Sequence, residues 1–182
     1  MTSPARIQPR RTPLEDPLLT VVMPVFNEKA TFEEIVDRVL AVPVRTELIA
    51  VDDASTDGSR EILEKLSSEK GFRLLVQDRN QGKGAAVRKG IDAASGDVIV
   101  VQDADLEYSP EEYPDLLDLI TKGKADAVFG SRFIGRHRCH LFTHYPANLV
   151  LNLVTNVLYN TTMTDMETCF KAVRADVLKD LD

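Results

Sequence analysis

The chain has 182 residues, with 22 Lys or Arg against 29 Asp or Glu, and its formal net charge is −7. This length predicts one domain, or one domain plus a fragment, and the 43% hydrophobic content is typical of a globular protein. The acidic balance argues against a nucleic-acid binder, which normally presents a basic face. Cys139 and Cys169 are too few for a disulfide scaffold, and we expect reduced thiols.

The first 17 residues predict a disordered tail, because they contain four prolines and no apolar periodicity. They also lack the apolar core of a secretory signal. No apolar run in the chain approaches the roughly 18 residues of a membrane span. We therefore expect a tail over 1–17, one domain over 18–182 and a cytoplasmic location.

Short apolar runs without alternation predict strands that are covered on both faces of a parallel sheet. The predicted strands are Leu18–Met23, Glu47–Val51, Arg73–Val76, Val98–Gln102 and Ala125–Phe129, with a short sixth strand at Cys169–Val173. Helical patterns separate the first five strands, and Thr31 and Glu34 are spaced as a capping box where the first helix begins. The alternation predicts an α/β fold with a mostly parallel sheet flanked by helices.

Beyond residue 129 the pattern changes. Residues 132–145 are polar and rich in Arg and His, and predict a long loop that could close over a ligand. This loop contains four possible zinc ligands, but their spacing fits no standard zinc site. They are His137, Cys139, His140 and His144. Residues 146–159 predict a helix with Asn at every fourth position beside a broad apolar face, which we expect to be core rather than a contact with lipid.

Polar motifs follow four successive predicted strands. The first strand ends in PVFNE (24–28), the second in DDASTDGS (52–59), the third leads into NQGKG (80–84) and the fourth ends in DADLE (103–107). Ligands of open α/β sheets bind at the carboxyl ends of the strands. We therefore expect these motifs to meet in one site.

The DAD motif indicates a site for a hard divalent cation. Asp103 and Asp105 end a central apolar strand, where solvated acids are uncommon. From Asp97 to Asp118 the chain has eight carboxylates and no base, so their repulsion needs an opposing charge. Mg²⁺ or Mn²⁺ takes such oxygen ligands together with phosphate and water. The later acids of this stretch are explained by the preference of a helix N-terminus for acids.

The other motifs contain groups that suit a nucleotide. Asp53 and Glu28 can accept hydrogen bonds from a base or a ribose, and Pro24 and Phe26 can form an apolar wall. Lys83, between two glycines, could bring an ammonium group and backbone N–H groups to a phosphate. The loop does not match a Walker motif, and the alternative is a solvated lysine on a flexible loop.

In this order and spacing, PVFNE, VDDASTDGS, NQGKGAA, DADLE and GSRF resemble the family 2 glycosyltransferases with the GT-A fold, over about residues 18–182. The later TDMETCFKAVR is similar to the branch that transfers sugars to polyprenyl phosphates, including dolichol-phosphate mannose synthases. For the nucleotide sugar, the resemblance and the motifs implicate Pro24, Phe26, Glu28, Val51, Asp53, Lys83, Asp103, Ala104 and Arg132. The expected metal ligands are Asp103, Asp105 and Glu107, and the expected catalytic residues are Asp105, Arg132 and Asp165.

The resemblance implies an inverting, metal-dependent transfer of a hexose from a nucleoside-diphosphate sugar of the UDP-glucose or GDP-mannose type. A polyprenyl phosphate acceptor is already anionic and needs no strong base, and it would bring the protein into peripheral contact with a membrane. A saccharide hydroxyl acceptor would need a carboxylate base, for which Asp165 and Glu167 are the candidates. Asp165 is explained equally well as a cap or turn residue.

The motifs argue against three other classes of enzyme. A phosphohydrolase would carry its Asp-x-Asp pair on an early strand, and here the pair ends the fourth. A sugar-phosphate nucleotidyltransferase would begin with a Gly- and Arg-rich loop in place of PVFNE, and a dinucleotide dehydrogenase would need a Gly-x-Gly-x-x-Gly motif, which is absent. The remaining alternative is a nucleotide-sugar-binding fragment without turnover, because we expect the chain to be C-terminally truncated relative to the family.

Overall fold

The computed structural model describes residues 11–131 and 144–180. In this part of the chain the strands are β1 (Leu19–Val25), β2 (Thr46–Asp52), β3 (Arg73–Val76), β4 (Val98–Val101), β5 (Ala127–Phe129) and β6 (Lys171–Arg174). The helices are α1 (Phe32–Ala41), α2 (Ser59–Lys70), α3 (Lys83–Ala93), α4 (Tyr113–Thr121), α5 (His144–Tyr159) and α6 (Ala175–Lys179), and a 3₁₀ turn (Pro110–Glu112) precedes α4.

These strands form one sheet in the order β3-β2-β1-β4-β6-β5. Strands β3, β2, β1 and β4 are parallel to one another, whereas β6 is antiparallel to both β4 and β5. Helices cover the sheet on both faces. The α/β prediction with a mostly parallel sheet is therefore confirmed.

The sequences of the strands are continuous apolar runs because both faces of the sheet are buried. In β1, Val21 and Met23 join the core on the side of α1, α2 and α4, while Val22 faces α3 on the other side. Helix α3 approaches the sheet closely at Gly90, where a Cβ atom would overlap the side chain of Val22. This close contact sets the distance between α3 and β1.

Part of the predicted tail is ordered against the domain. Arg11 forms ion pairs with Asp126 (3.0 Å) and Asp176 (3.2 Å), and the Leu14 amide donates to the Thr121 carbonyl (2.9 Å). Residues 11 and 14 of the expected tail thus contact segments of the domain that are distant in the chain. Residues 1–10 lie outside the described residues.

Helix α5 has the reverse orientation to the one expected. Asn148, Asn152 and Asn156 face inward and bond to the segment 163–166, which has no regular secondary structure. The apolar side chains face outward and are 39–77% exposed: Leu149, Val150, Leu151, Leu153, Val154, Val157, Leu158 and Tyr159. The expectation of an apolar core face was wrong, because the backbone of the irregular segment takes the helix's amides as partners.

None of the helices in the described ranges has both the length and the apolarity that a bilayer crossing requires.

Candidate functional site

A cleft of about 290 Å³ lies at the carboxyl ends of the parallel strands. It is lined by Pro24, Val25, Phe26, Glu28, Asp53, Asn80, Gly82, Lys83, Ala86, Asp103, Ala104 and Asp105. All four predicted motifs contribute, because the ends of β1 to β4 share one edge of the sheet. Of the side chains proposed from the sequence, the cleft brings together Pro24, Phe26, Glu28, Asp53, Lys83, Asp103, Ala104 and Asp105.

The first two motifs are tied to each other by reciprocal hydrogen bonds. Asn27 has a left-handed backbone (φ 59°), and its amide N–H donates to Ser55 Oγ at 3.1 Å. The Asn27 Oδ1 atom in turn accepts from the Thr56 amide at 2.8 Å. This pairing fixes the turn that places Phe26 and Glu28 on the wall of the cleft.

The two acids at the end of β2 have different roles. Asp52 is fully buried, bonds to Arg60 Nε at 2.8 Å and accepts from the Ser55 amide at 3.2 Å. A buried carboxylate paired in this way holds the loop and the start of α2 rather than a ligand. Asp53 faces the cleft.

The Asp53 carboxylate organises the glycine-lysine loop. Its Oδ1 accepts from Gln77 Nε2 (2.6 Å) and the Gln81 amide (2.8 Å), and its Oδ2 accepts from the Gly82 amide (2.8 Å). A carboxylate has about four acceptor positions, so about one remains open. Asp53 thus sets the position of Lys83 and can still accept one further hydrogen bond.

The acidic side of the cleft carries mutually repelling charges. Burial, together with the charges of Asp105, Asp103 and Asp57, raises the pKa of Glu28 in spite of a hydrogen bond from Thr31. That hydrogen bond also corrects the predicted capping box, because Thr31 makes no side-chain cap to α1 and bonds to Glu28 at 3.3 Å instead. The cleft therefore favours a bound positive charge.

Lys83 supplies one positive charge at this side. Its Nζ lies 2.5 Å from Asp103 Oδ1 and 3.9 Å from Cys169 Sγ. Burial is the largest single influence and opposes the charged form of Lys83, but the hydrogen bond to Asp103 and the nearby negative charges together outweigh it and raise the pKa of Lys83. Burial raises the pKa of the Cys169 thiol to about 12, so this thiol is neutral beside the lysine.

The loop that follows β4 presents carboxylates to the cleft. Asp103 and Asp105 both line it, and Asp105 Oδ1 accepts from the Glu107 amide at 3.0 Å. Glu107 is exposed and is not among the lining residues. No group of three or more His, Cys, Asp or Glu side chains is gathered for a metal within 11–131 and 144–180. Two carboxylates nevertheless suit Mg²⁺ or Mn²⁺, which binds through one or two of them plus substrate phosphates.

The other predicted residues lie away from the cleft or outside the described part. Val51 is fully buried in the core that includes Ala86, so it supports the cleft wall from behind. Asp165 is buried, accepts from Asn148 Nδ2 at 3.3 Å and is not a lining residue. Glu167 is exposed. Arg132, His137, Cys139 and His140 lie outside the described residues, as does the side chain of His144.

Several supporting side chains were not anticipated from the sequence. Arg60 neutralises Asp52, Gln77 bonds to Asp53, and Gln102 bonds to the loop after β4. One available signal was a polar side chain such as Gln102 at the end of an apolar strand, because a buried amide requires partners.

Comparison with known proteins agrees with this geometry. The family model described as glycosyl transferase family 2 matches residues 20–182. A dolichol-phosphate mannosyltransferase of Pyrococcus furiosus is 36% identical over 118 residues, covering 64% of this chain and 33% of that protein. An undecaprenyl-phosphate 4-deoxy-4-formamido-L-arabinose transferase of Aeromonas hydrophila is 31% identical over 167 residues, covering 88% and 50%. The chain thus spans half or less of these relatives.

Among solved structures, a mannosyltransferase of Pyrobaculum calidifontis in complex with GDP-Man and Mn²⁺ superposes with a TM-score of 0.68 at 20% identity. The match covers 93% of this chain and 48% of that one. At this identity the likeness establishes the fold, and it confirms the GT-A prediction. The family match over nearly the whole chain goes further: this chain belongs to glycosyl transferase family 2.

Proposed function

We propose that the chain forms the donor-binding part of an inverting, metal-dependent glycosyltransferase that moves a hexose from a nucleoside-diphosphate sugar to a polyprenyl phosphate. The observation that carries the proposal is the mixed chemistry of the cleft. It combines an apolar wall at Phe26, an acceptor at Asp53 and a charged side with Lys83, Asp103 and Asp105. A nucleoside diphosphate needs these three kinds of surface.

The nucleoside would lie against Phe26 and Asp53. The Phe26 side chain is 45% exposed at the cleft, which leaves an aromatic face for a planar base. The open acceptor position on Asp53 suits a base N–H or a ribose hydroxyl. Three protein donors already hold this carboxylate in place, so the Asp53 side chain loses little conformational freedom when the nucleoside binds.

The diphosphate would lie between Lys83 and the acids. Lys83 is the first residue of α3, and the N-terminus of an 11-residue helix attracts anions. The raised pKa of Lys83 keeps its ammonium group charged. In this proposal the diphosphate competes with Asp103 for that ammonium group.

Asp103 and Asp105 are the residues that would hold Mg²⁺ or Mn²⁺. When bound, such a cation stabilises negative charge on a leaving diphosphate. The P. calidifontis mannosyltransferase was crystallised in complex with both GDP-Man and Mn²⁺, which supports this pairing of ligands. Glu107 as a third ligand, and Arg132 as a further diphosphate contact, remain predictions.

The position of Asp165 outside the cleft lining supports a phosphate rather than a hydroxyl acceptor. A hydroxyl needs a base within reach, whereas a phosphate oxygen is already anionic. Asp165 is buried and bonded to Asn148, and it does not line the cleft. The names of both relatives specify a polyprenyl-type phosphate, dolichol phosphate in one and undecaprenyl phosphate in the other.

The outward face of α5 supports peripheral contact with a membrane, where such an acceptor resides. From residue 145 to 159 this helix has no charged side chain, and Tyr159 at its end is 77% exposed. Amphipathic helices whose apolar face carries leucine and aromatic side chains lie in the interfacial region of bilayers. The inward bonds of its asparagines hold the apolar face outward.

A transfer assay tests the proposal. The chain, Mn²⁺ and radiolabelled GDP-mannose or UDP-glucose are incubated with a short polyprenyl phosphate, with the matching polyprenol or with an oligosaccharide. We expect label on the polyprenyl phosphate alone. Transfer to the oligosaccharide would show the hydroxyl-acceptor alternative, and tight nucleotide binding without any transfer would show the binding-fragment alternative.

A further inference from the structure

Gln102 has an unusual position for an amide side chain. It follows β4 directly, next to the strand core of Val98, Ile99 and Val100, and it is fully buried. An amide buried in apolar surroundings is unfavourable unless it is hydrogen-bonded, and an apolar residue would need no partner there. The bonds of Gln102 therefore indicate its role.

Gln102 joins both ends of the loop that carries the cleft acids. Its Nε2 donates to the carbonyl of Asp103 at 3.0 Å and to the carbonyl of Tyr108 at 3.4 Å. These carbonyls are the first and last of the loop 103–108. The loop also contains Leu106 in the left-handed region (φ 63°), a conformation that a non-glycine residue adopts only when its surroundings impose it.

The amide itself is held by α4. Tyr113, the first residue of α4, donates its hydroxyl to Gln102 Oε1 at 2.8 Å. Burial raises the pKa of Tyr113, so this hydroxyl stays protonated and remains a donor. The Tyr113 ring packs on Phe170 with a centroid separation of 5.8 Å, which fixes the hydroxyl.

We infer that Gln102 and Tyr113 are positioning residues that set the separation and direction of the Asp103 and Asp105 carboxylates, and thereby the affinity of the cleft for a divalent cation with a diphosphate. The inference rests on the proposed function for the identity of this ligand. The effect on the loop itself does not depend on that function.

Three variants test the inference. Gln102→Leu removes all of the side-chain hydrogen bonds at nearly constant volume, and Tyr113→Phe removes one hydroxyl while keeping the ring packing. Thr20→Val is the matched control: Thr20 is also fully buried with two hydrogen bonds, to Glu47 (2.7 Å) and Gly96 (2.9 Å), but lies toward the other end of the sheet.

The first measurement needs no ligand. Hydrogen–deuterium exchange of the peptide covering 103–108 should become about tenfold faster in Gln102→Leu, with a smaller increase in Tyr113→Phe and none in Thr20→Val. The second measurement is a Mn²⁺ titration in the presence of GDP, followed by electron paramagnetic resonance. The Mn²⁺ dissociation constant should rise by about tenfold in Gln102→Leu, while GMP binding without metal is unchanged.

If the Gln102 and Tyr113 variants lower the melting temperature as Thr20→Val does, but leave loop exchange and Mn²⁺ affinity at the wild-type values, the positioning role is refuted. Should Gln102→Leu not fold, Tyr113→Phe decides the question by the same two measurements. Asp105→Ala separates the two proposals, because unchanged Mn²⁺ affinity in that variant contradicts the metal site, while the exchange data still decide the role of Gln102.

Discussion

The substitution Asp53→Asn tests the organisation of the cleft with a change of one atom. Three N–H groups point at the Asp53 carboxylate. In either orientation of the new amide, at least one of them faces another N–H, so one charge-assisted bond is lost and a donor is left unpaired. Hydrogen bonds to charged groups contribute about 1.5–3 kcal/mol, and we expect a loss of about 2–3 kcal/mol of unfolding free energy.

For a chain of this size, that loss lowers the melting temperature by about 4–12 °C. The substitution also releases the loop that carries Gly82 and Lys83, so we expect the affinity for GDP and UDP to fall by about tenfold, the equivalent of 1.4 kcal/mol. Urea denaturation and calorimetry measure the two effects separately.

Asp78→Asn is the matched control, because Asp78 is an exposed acid close by in the sequence. A surface substitution of this kind should change stability by less than about 0.5 kcal/mol. If Asp53→Asn were as mild as Asp78→Asn in both stability and nucleotide affinity, the assignment of Asp53 as the organiser of the loop would be refuted.

Three further predictions concern charge and orientation. Lys83→Met should weaken GDP binding by about tenfold but leave guanosine binding unchanged in calorimetry, because the ammonium group would contact only the phosphates; equal losses for both ligands would contradict this. The pKa of Glu28 is raised above 4.5, so the folded state retains a proton that the unfolded state has lost just above that pH. The contribution of this group to the free energy of unfolding therefore rises as pH falls through that window. In urea denaturation, Glu28→Gln should be more stable than the wild type at pH 7, and this difference should shrink toward pH 4.5. A difference that stays constant with pH would refute the charge repulsion. On α5, Asn152→Ala should destabilise the chain by about 2–3 kcal/mol, because it leaves buried groups unpaired. Leu153→Ala, at a side chain that is 64% exposed, should change stability by less than about 0.5 kcal/mol. The reverse order of these two values would contradict the observed orientation of the helix.

The location of the cleft could be predicted from the sequence because parallel strands end at a common edge. Asp53, Lys83 and Asp103 are separated by 20 or more residues, but each follows a strand of the same parallel set. Continuous apolar runs predicted those strands, and the parallel arrangement brings the residues that follow them to one edge of the sheet. The chemistry of the cleft was therefore predictable from residue types at strand ends.

The orientation of α5 could not be predicted in this way. The spacing of Asn148 and Asn152 shows that the helix has a polar and an apolar face, but periodicity does not determine which face is buried. The deciding partner is the backbone of 163–166. This segment is irregular, and no local sequence pattern indicates that its backbone groups require hydrogen-bond partners. The same limit applies to the buried Asp165, which accepts a hydrogen bond from Asn148.

The supporting residues of the cleft were also beyond sequence reasoning. Gln77 lies 24 residues from Asp53, and Tyr113 lies 11 residues from Gln102. Such pairs form only when separate elements pack together, so neither residue type nor spacing identifies them. Glu107 follows the left-handed Leu106 and is exposed outside the lining, so its role as a metal ligand stays a prediction.

The most direct test of the central claim is calorimetric titration of GDP and UDP into the wild-type chain and Asp105→Ala, each with Mn²⁺ and with a chelator. Asp115→Asn, an exposed acid on α4, serves as the control. We expect that at least one of the two nucleotides binds the wild type and Asp115→Asn only with Mn²⁺, and that Asp105→Ala loses this metal-dependent binding. Nucleotide binding that is unchanged by the chelator and by Asp105→Ala would contradict a metal-assisted diphosphate site in this cleft.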